Sequence, residues 1–449
     1  MIVLKFGGTS VANGQAIRRA VDIVTDRSTR GPVVVASAMA GVTDALVKVA
    51  ALAARGDRDE ALSLVHELDG RHRAVLADVV SGEQGRKGGA ARLEELFSSL
   101  RRAVDDLALP ASDAHRGSDA VLGHGELLST TLLRGALEDV GASAEWVDAR
   151  EVVVTDDRFG GATPDPVEIA RRAKTCLAPL VGRGTIPVTQ GFIGATLDGI
   201  PTTLGRGGSD FTAALLGAAL EVQEVQIWTD VHGLMTADPR VVADARPLYE
   251  ASYDEAAELA YFGAKVLHPA TMIPVIEAGI PVRIRNSMDP DAPGTTISAA
   301  STGKPGEVKS IASKGRVTTL SLQAPRMLGT HGFLRRMFDI FDRHEVSLDV
   351  VSTSEVSISV SIEDGAVGDP LLEELKTLGE VEMRPERAII CVVGEGLRDT
   401  PGVAARIFQA VAPVNVEMIS QGASGINVTL VVKGEDAAEA VRQLHAEFF

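Results

Sequence analysis

The sequence predicts an α/β protein: a mainly parallel sheet covered by helices on both faces, followed by a second region built from a βαββαβ repeat. Three observations carry this. Short apolar runs of strand length alternate with Ala/Leu/Arg-rich helical stretches over the first 300 residues. A stretch dense in Pro, Gly, Ser and Thr, "DPDAPGTTISAASTGKPGE" (289–307), then marks a domain boundary. Beyond it the chain repeats itself: "GFLRRMFDIFDRHEVSLDVVSTSEVSISVSI" (332–362) lines up with "GVAARIFQAVAPVNVEMISQGASGINVTLVV" (402–432).

In order along the chain, strands are expected at 2–6, 32–37, 144–147, 185–190, 225–228 and 282–284, and helices at 16–25 and 167–177. Residues 44–110 have an almost wholly helical pattern, broken by "SGEQGRKGG" (81–89), which reads as a mobile surface loop. "SDAVLGHGELLSTTLLRGALEDVG" (118–141) reads as one amphipathic helix. In the repeat, Gly332 matches Gly402 and Phe338 matches Phe408; after a two-residue slip Asp349 matches Glu417. Each copy reads strand, helix, strand, strand, helix, and copy one closes with a strand near 381–383. Copy two has no closing strand after its last helix, and an extra strand at 308–313 precedes copy one. That strand is expected to cross over and complete copy two, so that no sheet edge is left orphaned.

A net charge of −17 with acid in excess along both halves disfavours a nucleic-acid or anionic-membrane surface. Cys176 and Cys391, isolated in apolar surroundings, read as two buried free thiols of a reducing compartment, and no Cys/His spacing suggests a zinc site. Without a leader pattern or an apolar stretch of membrane length, a cytoplasmic protein is expected.

Five stretches combine residues capable of chemistry. "VLKFGGTSVA" (3–12) puts Lys5 on a strand and Gly7-Gly8 with Thr9 in the turn after it. This is either a plain sheet-to-helix bend or a phosphate cradle whose lysine precedes its glycines, the reverse of GxxxxGK[ST], which is absent. "TTLGRGGSDFTAALLGAAL" (202–220) surrounds Arg206 with glycines, and Ser209 and Asp210 read as N-cap residues of an Ala/Leu helix. The alternatives are a capped helix with an exposed arginine or an anion-binding helix terminus with Arg206 as clamp. "VQIWTDVHGLMTADPRVV" (225–242) ends a strand at Thr229-Asp230, the edge of a parallel sheet where ligands bind, or else forms a plain polar loop. "YFGAKVLHPATMIPV" (261–275) holds Lys265 in an apolar run, where it either meets an anion or snorkels; His268 reads as structural. Glu126 falls among the apolar positions of 118–141, beside Gly125.

Taken together in this order, "KFGGTSV", "GVTD", "HGELLS", "TLGRGGSD", "WTDVHGLMTADPR" and "FGAKVLHP" resemble the aspartate kinases of the amino-acid kinase superfamily, and the repeat resembles their paired ACT domains, which are ferredoxin-like. Length and order resemble the monofunctional, lysine-sensitive group. The resemblance implies an amino-acid kinase domain over 1–295, a linker over 296–307, a first, effector-binding ACT domain over 315–385, and a discontinuous second one from 308–314 plus 386–449. It implies transfer of a phosphoryl group from ATP to the side-chain carboxylate of L-aspartate. Lys5, Asp210 and Lys265 would be catalytic, and Gly7, Gly8 and Thr9 would cradle phosphate. Thr43, Glu126, Arg206 and Ser209 would form the aspartate pocket. Thr229, Asp230, Met235, Arg240 and Val266 would join Lys5 and Lys265 around the nucleotide, with Met235 standing where many relatives carry Tyr. Mg²⁺ is expected on the phosphates, with no protein cage for it.

For the repeat, the resemblance implies feedback inhibition. Met327, Thr330, Phe333 and Leu334 on one segment, and Ser347, Leu348, Asp349, Ser354 and Glu355 on another, would bind the effector. L-lysine is the implied inhibitor and threonine its main competitor. Copy two lacks the Ser-Glu pair and is expected to serve packing or dimerisation, in a homodimer or a dimer of dimers joined through the ACT domains. Two rivals are another carboxylate kinase, acting on glutamate or N-acetylglutamate, and a non-catalytic amino-acid sensor; the motifs above disfavour both.

Overall fold

The computed structural model describes residues 1–109, 113–263, 269–299, 303–327, 330–422 and 424–449. The chain forms two compact units. The first comprises Met1–Leu234, Tyr249–Tyr253 and Val266–Ala300, and the second Met235–Leu248, Asp254–Lys265 and Ser301–Phe449. Among the described residues no helix is long and apolar enough to cross a membrane.

The first unit is built on an eight-stranded sheet. β1 (Ile2–Phe6) leads through α1 (Gly14–Thr25) to β2 (Pro32–Ala36). A helical layer follows: α2 (Val42–Ala54), α3 (Arg58–Val79), α4 (Glu83–Leu107), α5 (Ala114–Leu122) and α6 (His124–Asp139). Next come β3 (Ala144–Val147), α7 (Pro166–Cys176), α8 (Ala178–Gly182), β4 (Ile186–Gln190), the hairpin β5 (Ile193–Ala195) and β6 (Pro201–Thr203), α9 (Gly208–Ala219) and β7 (Val225–Thr229). The last elements are β8 (Glu250–Ser252), α10 (Tyr253–Phe262), which belongs to the second unit from Asp254 on, α11 (Ile273–Glu277), β9 (Val282–Asn286) and β10 (Thr295–Ser298). The order is β3-β4-β2-β1-β7-β9-β10-β8, with β3 through β9 parallel and β10 antiparallel to β9. β1 and β2 are buried along their whole length, which is why they read as apolar runs, broken only by Lys5 in β1. Phe6 and the fully buried Trp228 stack side by side, and the guanidinium groups of Arg27 and Arg285 lie over the Trp228 ring at 4.7 and 5.1 Å.

Several expectations need correction here. The "SGEQGRKGG" stretch is not a loop: α4 begins at Glu83. Asp139, at the end of α6, supplies the missing start signal, accepting from the Ser81 N–H (3.0 Å) and hydroxyl (2.7 Å) and the Gly82 N–H (2.9 Å). Two glycines of that stretch serve packing, since a Cβ on Gly89 would stand 2.7 Å from Leu76 and one on Gly85 2.9 Å from Val80. The expected helix 118–141 is two helices meeting at Gly123, and residues 124–133 of α6 are buried all round rather than on one face. Residues 296–298, placed at the start of the linker, belong to β10 (Thr295–Ser298). Cys391 is buried, but Cys176 is only half-buried.

The second unit holds a six-stranded antiparallel sheet made from both copies of the repeat. Its elements are β11 (Val308–Gln323), α12 (Phe333–Arg343), β12 (Val351–Thr353), β13 (Ser357–Glu363), α13 (Asp369–Lys376), β14 (Glu380–Gly394), α14 (Val403–Ala410), β15 (Met418–Gln421), β16 (Asn427–Lys433) and α15 (Ala437–Phe448). The order is β12-β13-β11-β14-β16-β15. β11 and β14 are long and shared: residues 308–314 of β11 pair with 389–394 of β14, and 320–323 pair with 380–383. Two cores result. One gathers Leu320, Met337, Ile340, Val360 and Leu375. The other gathers Ile311, Ile390, Ile407, Leu430 and Leu444, with Ala237 and Val242 from the 235–248 segment.

Candidate active site

The carboxyl ends of β1, β2, β4 and β7 meet where successive crossovers diverge, β2 lying on one side of β1 and β7 on the other. Such a switch point opens a crevice at the strand ends. Lys5 is the one charged residue of β1, with its side chain 10% exposed, and its ammonium reaches Asp210 Oδ1 at 2.6 Å. Asp210 is not an N-cap. The cap position of α9 is Gly207, in the left-handed region at φ +71°, and Ser209 and Asp210 lie inside the first turn. There the carboxylate favours the positive end of the helix and faces the lysine. Ser209 packs on the turn after β4: a Cβ on Gly191 would come within 2.5 Å of the Ser209 Cβ.

The turn after β1 is held tightly. Gly7 is extended and its N–H donates to the Trp228 carbonyl at 3.0 Å, so this amide is spent inside the sheet and does not face an anion in this conformation. The same carbonyl accepts from Ser10 Oγ at 3.1 Å, and that hydroxyl also meets Ser287 Oγ at 2.8 Å. Gly8 is needed for close approach, because a Cβ would stand 3.0 Å from the Ala38 carbonyl. Thr9 and Thr43 are both half-buried, Thr9 in the 3₁₀ turn and Thr43 in the first turn of α2.

Glu126, in the first turn of α6, faces the chain leaving β2. Its Oε1 accepts from the Ala38 N–H at 3.1 Å, and its buried Oε2 has no partner among the described residues. Burial pushes the carboxyl up to about 8, against the weaker opposing pull of that N–H. Gly125 makes the approach possible, since a Cβ there would stand 2.8 Å from the Ala38 Cβ. Arg206 is exposed beside Gly205 and forms no ion pair among the described residues. Thr229 ends β7, and its hydroxyl donates to Asp230 at 3.2 Å. Lys5, the 7–9 turn, Glu126, Ser209, Asp210 and Thr229 thus gather at the carboxyl ends of the sheet strands, and Thr43 lies on the helix that follows β2. Lys265, Val266 and His268 lie outside the described residues.

The amino acid kinase family profile matches residues 1–286, and an ACT domain profile matches residues 390–448. The whole chain aligns at 40% identity with 99% of the lysine-sensitive aspartokinase 3 of Escherichia coli, and at 36% with 81% of a chloroplastic aspartokinase 3 of Arabidopsis thaliana. The chain belongs to the aspartate kinases of the amino acid kinase family. Two crystal structures of E. coli aspartokinase III match it over its full length. One, with aspartate and ADP, covers all of that chain at TM-score 0.83 and 39% identity. The other, with lysine and aspartate, covers 99% at TM-score 0.84 and 38% identity.

In this kinase, two residues expected around the nucleotide fold with the repeat. Met235 and Arg240 sit in the 235–248 segment of the second unit, where Ser310 Oγ donates to the Met235 carbonyl at 2.7 Å and Thr236 Oγ1 meets His445 Nε2 at 2.9 Å. Arg240 is exposed and paired with Asp238 at 2.6 Å. α10, the helix that precedes Lys265, is tied to the same unit through a buried ion pair of Glu255 with Lys309 at 2.9 Å.

Among the expected effector residues of the kinase, Asp349 is the most distinctive. Its side chain is 5% exposed; Oδ1 takes both the Lys314 ammonium at 2.8 Å and the Tyr261 hydroxyl at 2.5 Å, while buried Oδ2 has no partner among the described residues. Leu348 and Met327 pack on the first-copy core, and Thr330, Leu334, Ser347 and Glu355 are exposed. Ser354 Oγ is engaged with Ser357 at 2.7 Å. The Phe333 side chain is buried in the first-copy core. In copy two, Glu417 is held by Arg387 Nε and Nη2, each at 2.9 Å. Asp119, Ser10 and Ser287 escaped sequence reasoning; an acid in an apolar helical run, the signal that exposed Glu126, was present for Asp119 as well.

Proposed function

We propose that the kinase transfers the γ-phosphoryl group of ATP to the side-chain carboxylate of L-aspartate, giving 4-phospho-L-aspartate and ADP. A carboxylate oxygen attacks the γ-phosphorus, the bond between that phosphorus and the β–γ bridging oxygen breaks, and ADP leaves. An ionised carboxylate needs no general base; it needs cations that offset its repulsion from the triphosphate. The Lys5–Asp210 pair at the switch point carries the reading: a nearly buried ammonium, fixed by one carboxylate, at the sheet edge where a phosphate would lie. Lys265 is the second cation, and Gly8 and Thr9 contribute the turn. Arg206 grips the substrate's α-carboxylate, Glu126 meets its ammonium, and Thr43 and Ser209 complete the pocket. Thr229, Asp230, Met235, Arg240 and Val266 border the nucleotide.

Among the described residues no three His, Cys, Asp or Glu side chains gather into a metal cage. In this reading Mg²⁺ travels with the nucleotide phosphates, where it would neutralise their charge. The reading divides the chain into a kinase domain over 1–295, to which the rest of β10 as far as Ser298 is joined, a linker up to 307, a first ACT domain over 315–385, and a second from 308–314 plus 386–449. The pairing of 308–314 with 389–394 supports that division. L-lysine inhibits by binding the first copy around Asp349 and Glu355, with threonine the competing effector; the occupied Glu417 supports a purely structural second copy. A homodimer, or a dimer of dimers, forms through the ACT sheet, whose outer strands expose Val351 and Ile419. The enzyme works in the cytoplasm.

Trapping of acyl phosphate by hydroxylamine tests the reading, with aspartate or glutamate as acceptor and with or without lysine or threonine. Hydroxamate from aspartate alone, suppressed by lysine, is expected. Product from glutamate would overturn the acceptor, suppression by threonine only would overturn the effector, and no product from folded enzyme would overturn the kinase reading.

A further inference from the structure

Asp119, on α5, is a buried carboxylate with no arginine or lysine partner among the described residues, only 1% exposed. A charge in that setting is costly unless hydrogen bonds replace its water. Three do. Oδ2 accepts from the Gly160 N–H and the Thr203 N–H, both at 2.9 Å, and Oδ1 accepts from the Thr203 hydroxyl at 2.7 Å. The Thr203 carbonyl accepts in turn from the Ala162 N–H at 2.8 Å. Thr203 is the last residue of β6, and Gly205, two residues on, backs onto the same loop. A Cβ on Gly205 would stand 3.3 Å from the Gly160 carbonyl, and its φ is +72°. The chain is therefore hydrogen-bonded to the 160–162 loop at Thr203 and packed closely against it at Gly205, and the next residue is Arg206.

Resting on the reading of Arg206 as the clamp on the substrate's α-carboxylate, we propose that Asp119 is the positioning residue for that clamp. It fixes the backbone from Thr203 to Gly205 and so aims a guanidinium that no ion pair among the described residues restrains. A long, exposed arginine loses side-chain freedom on binding, and a rigid root reduces what must be ordered at that moment.

Steady-state kinetics of the full-length enzyme test this, with folding checked by circular dichroism. Arg206→Ala sets the scale by raising the aspartate KM. Asp119→Ala is expected to raise the aspartate KM at least tenfold while kcat and the ATP KM stay within threefold. Asp119→Asn should restore the aspartate KM to within threefold: its amide oxygen can keep both N–H bonds at the Oδ2 position, and the Thr203 hydroxyl can turn to accept from the amide nitrogen. Thr203→Val, nearly isosteric, should give a rise of two- to fivefold. In an Arg206→Ala background, Asp119→Ala should add no further rise. An unchanged aspartate KM in folded Asp119→Ala, an equal loss in every parameter, or additive effects with Arg206→Ala overturns the proposal. If Asp119→Ala does not fold, an unchanged aspartate KM in Thr203→Val overturns it. An unchanged aspartate KM in Arg206→Ala itself overturns the clamp reading, and the proposal falls with it.

Discussion

Glu126 makes a proton-linked prediction. Its carboxyl is wholly enclosed, meets one N–H, and is pushed up to about 8. At pH 7 about nine in ten molecules without substrate therefore carry it protonated. An ammonium delivered beside it favours the carboxylate and pulls that value down. Aspartate binding at pH 7 should then release up to about 0.9 proton per site, falling to about 0.1 at pH 9. Isothermal titration calorimetry in buffers of different ionisation enthalpy measures this number directly, and Glu126→Gln should abolish the release and weaken binding. The same shift sets a stability slope. The unfolded carboxyl ionises above 4.5 and the folded one only near 8, so the free enzyme loses stability as pH rises through that window. The loss is about 3 kcal/mol at pH 7 and levels off near 5 kcal/mol above pH 8. Urea unfolding should show Glu126→Gln gaining on the wild type across this range. No proton release at pH 7, or a stability difference equal at pH 5 and pH 8, would refute the reasoning.

Other outcomes are equally open to measurement. Lys5→Met should lower kcat by about 10²–10³ with secondary structure intact, the scale of one preorganised donor lost from a transition state; normal turnover would remove Lys5 from the chemistry. Asp210→Asn leaves that ammonium without its counter-ion, and a kcat drop of at least tenfold is expected in the same assay. His72 and His124 are buried and held down to about 4, so protonation in the unfolded chain removes stability as pH falls from 6.5 towards 4, by about 3 kcal/mol each. His72→Phe should flatten that part of the acid-unfolding curve, and an unchanged slope would count against it. Glu355→Ala should raise the lysine concentration for half-inhibition at least tenfold; an unmoved inhibition curve would take Glu355 out of the effector site.

What could be read from the sequence follows from burial. β1, β2 and β7 announce themselves because strands covered on both faces are mostly apolar, broken here only by Lys5 in β1 and by Gln226 and Thr229 in β7. β5, β6 and β10 have three or four residues drawn from Gly, Thr, Pro, Ser, Ala and Ile, a composition shared with linkers. The start of α4 was hidden because its cap, Asp139, comes from another helix, and because glycine chosen for close packing looks the same as glycine chosen for a turn. At the site, Lys5 drew attention by standing alone in an apolar strand. The spending of the Gly7 N–H on Trp228 is a tertiary fact with no local signature. So is the folding of Met235 and Arg240 with the repeat, which depends on bonds to Ser310, Ile311 and His445.

The ion pair at Asp349 has a consequence for any ligand that binds there. The carboxylate already holds an ammonium, that of Lys314. An incoming amino acid would exchange one nitrogen cation for another, and an exchange between like charges leaves little net Coulomb gain. Discrimination must then come from the remainder of the ligand: its chain length, its carboxylate and the fit of its methylenes. The exchange also has a second party, because the Tyr261 hydroxyl shares the same oxygen. Tyr261 lies at the end of α10, four residues before Lys265 in the sequence, so a guest that took over this oxygen would displace the Tyr261 hydroxyl as well as the Lys314 ammonium.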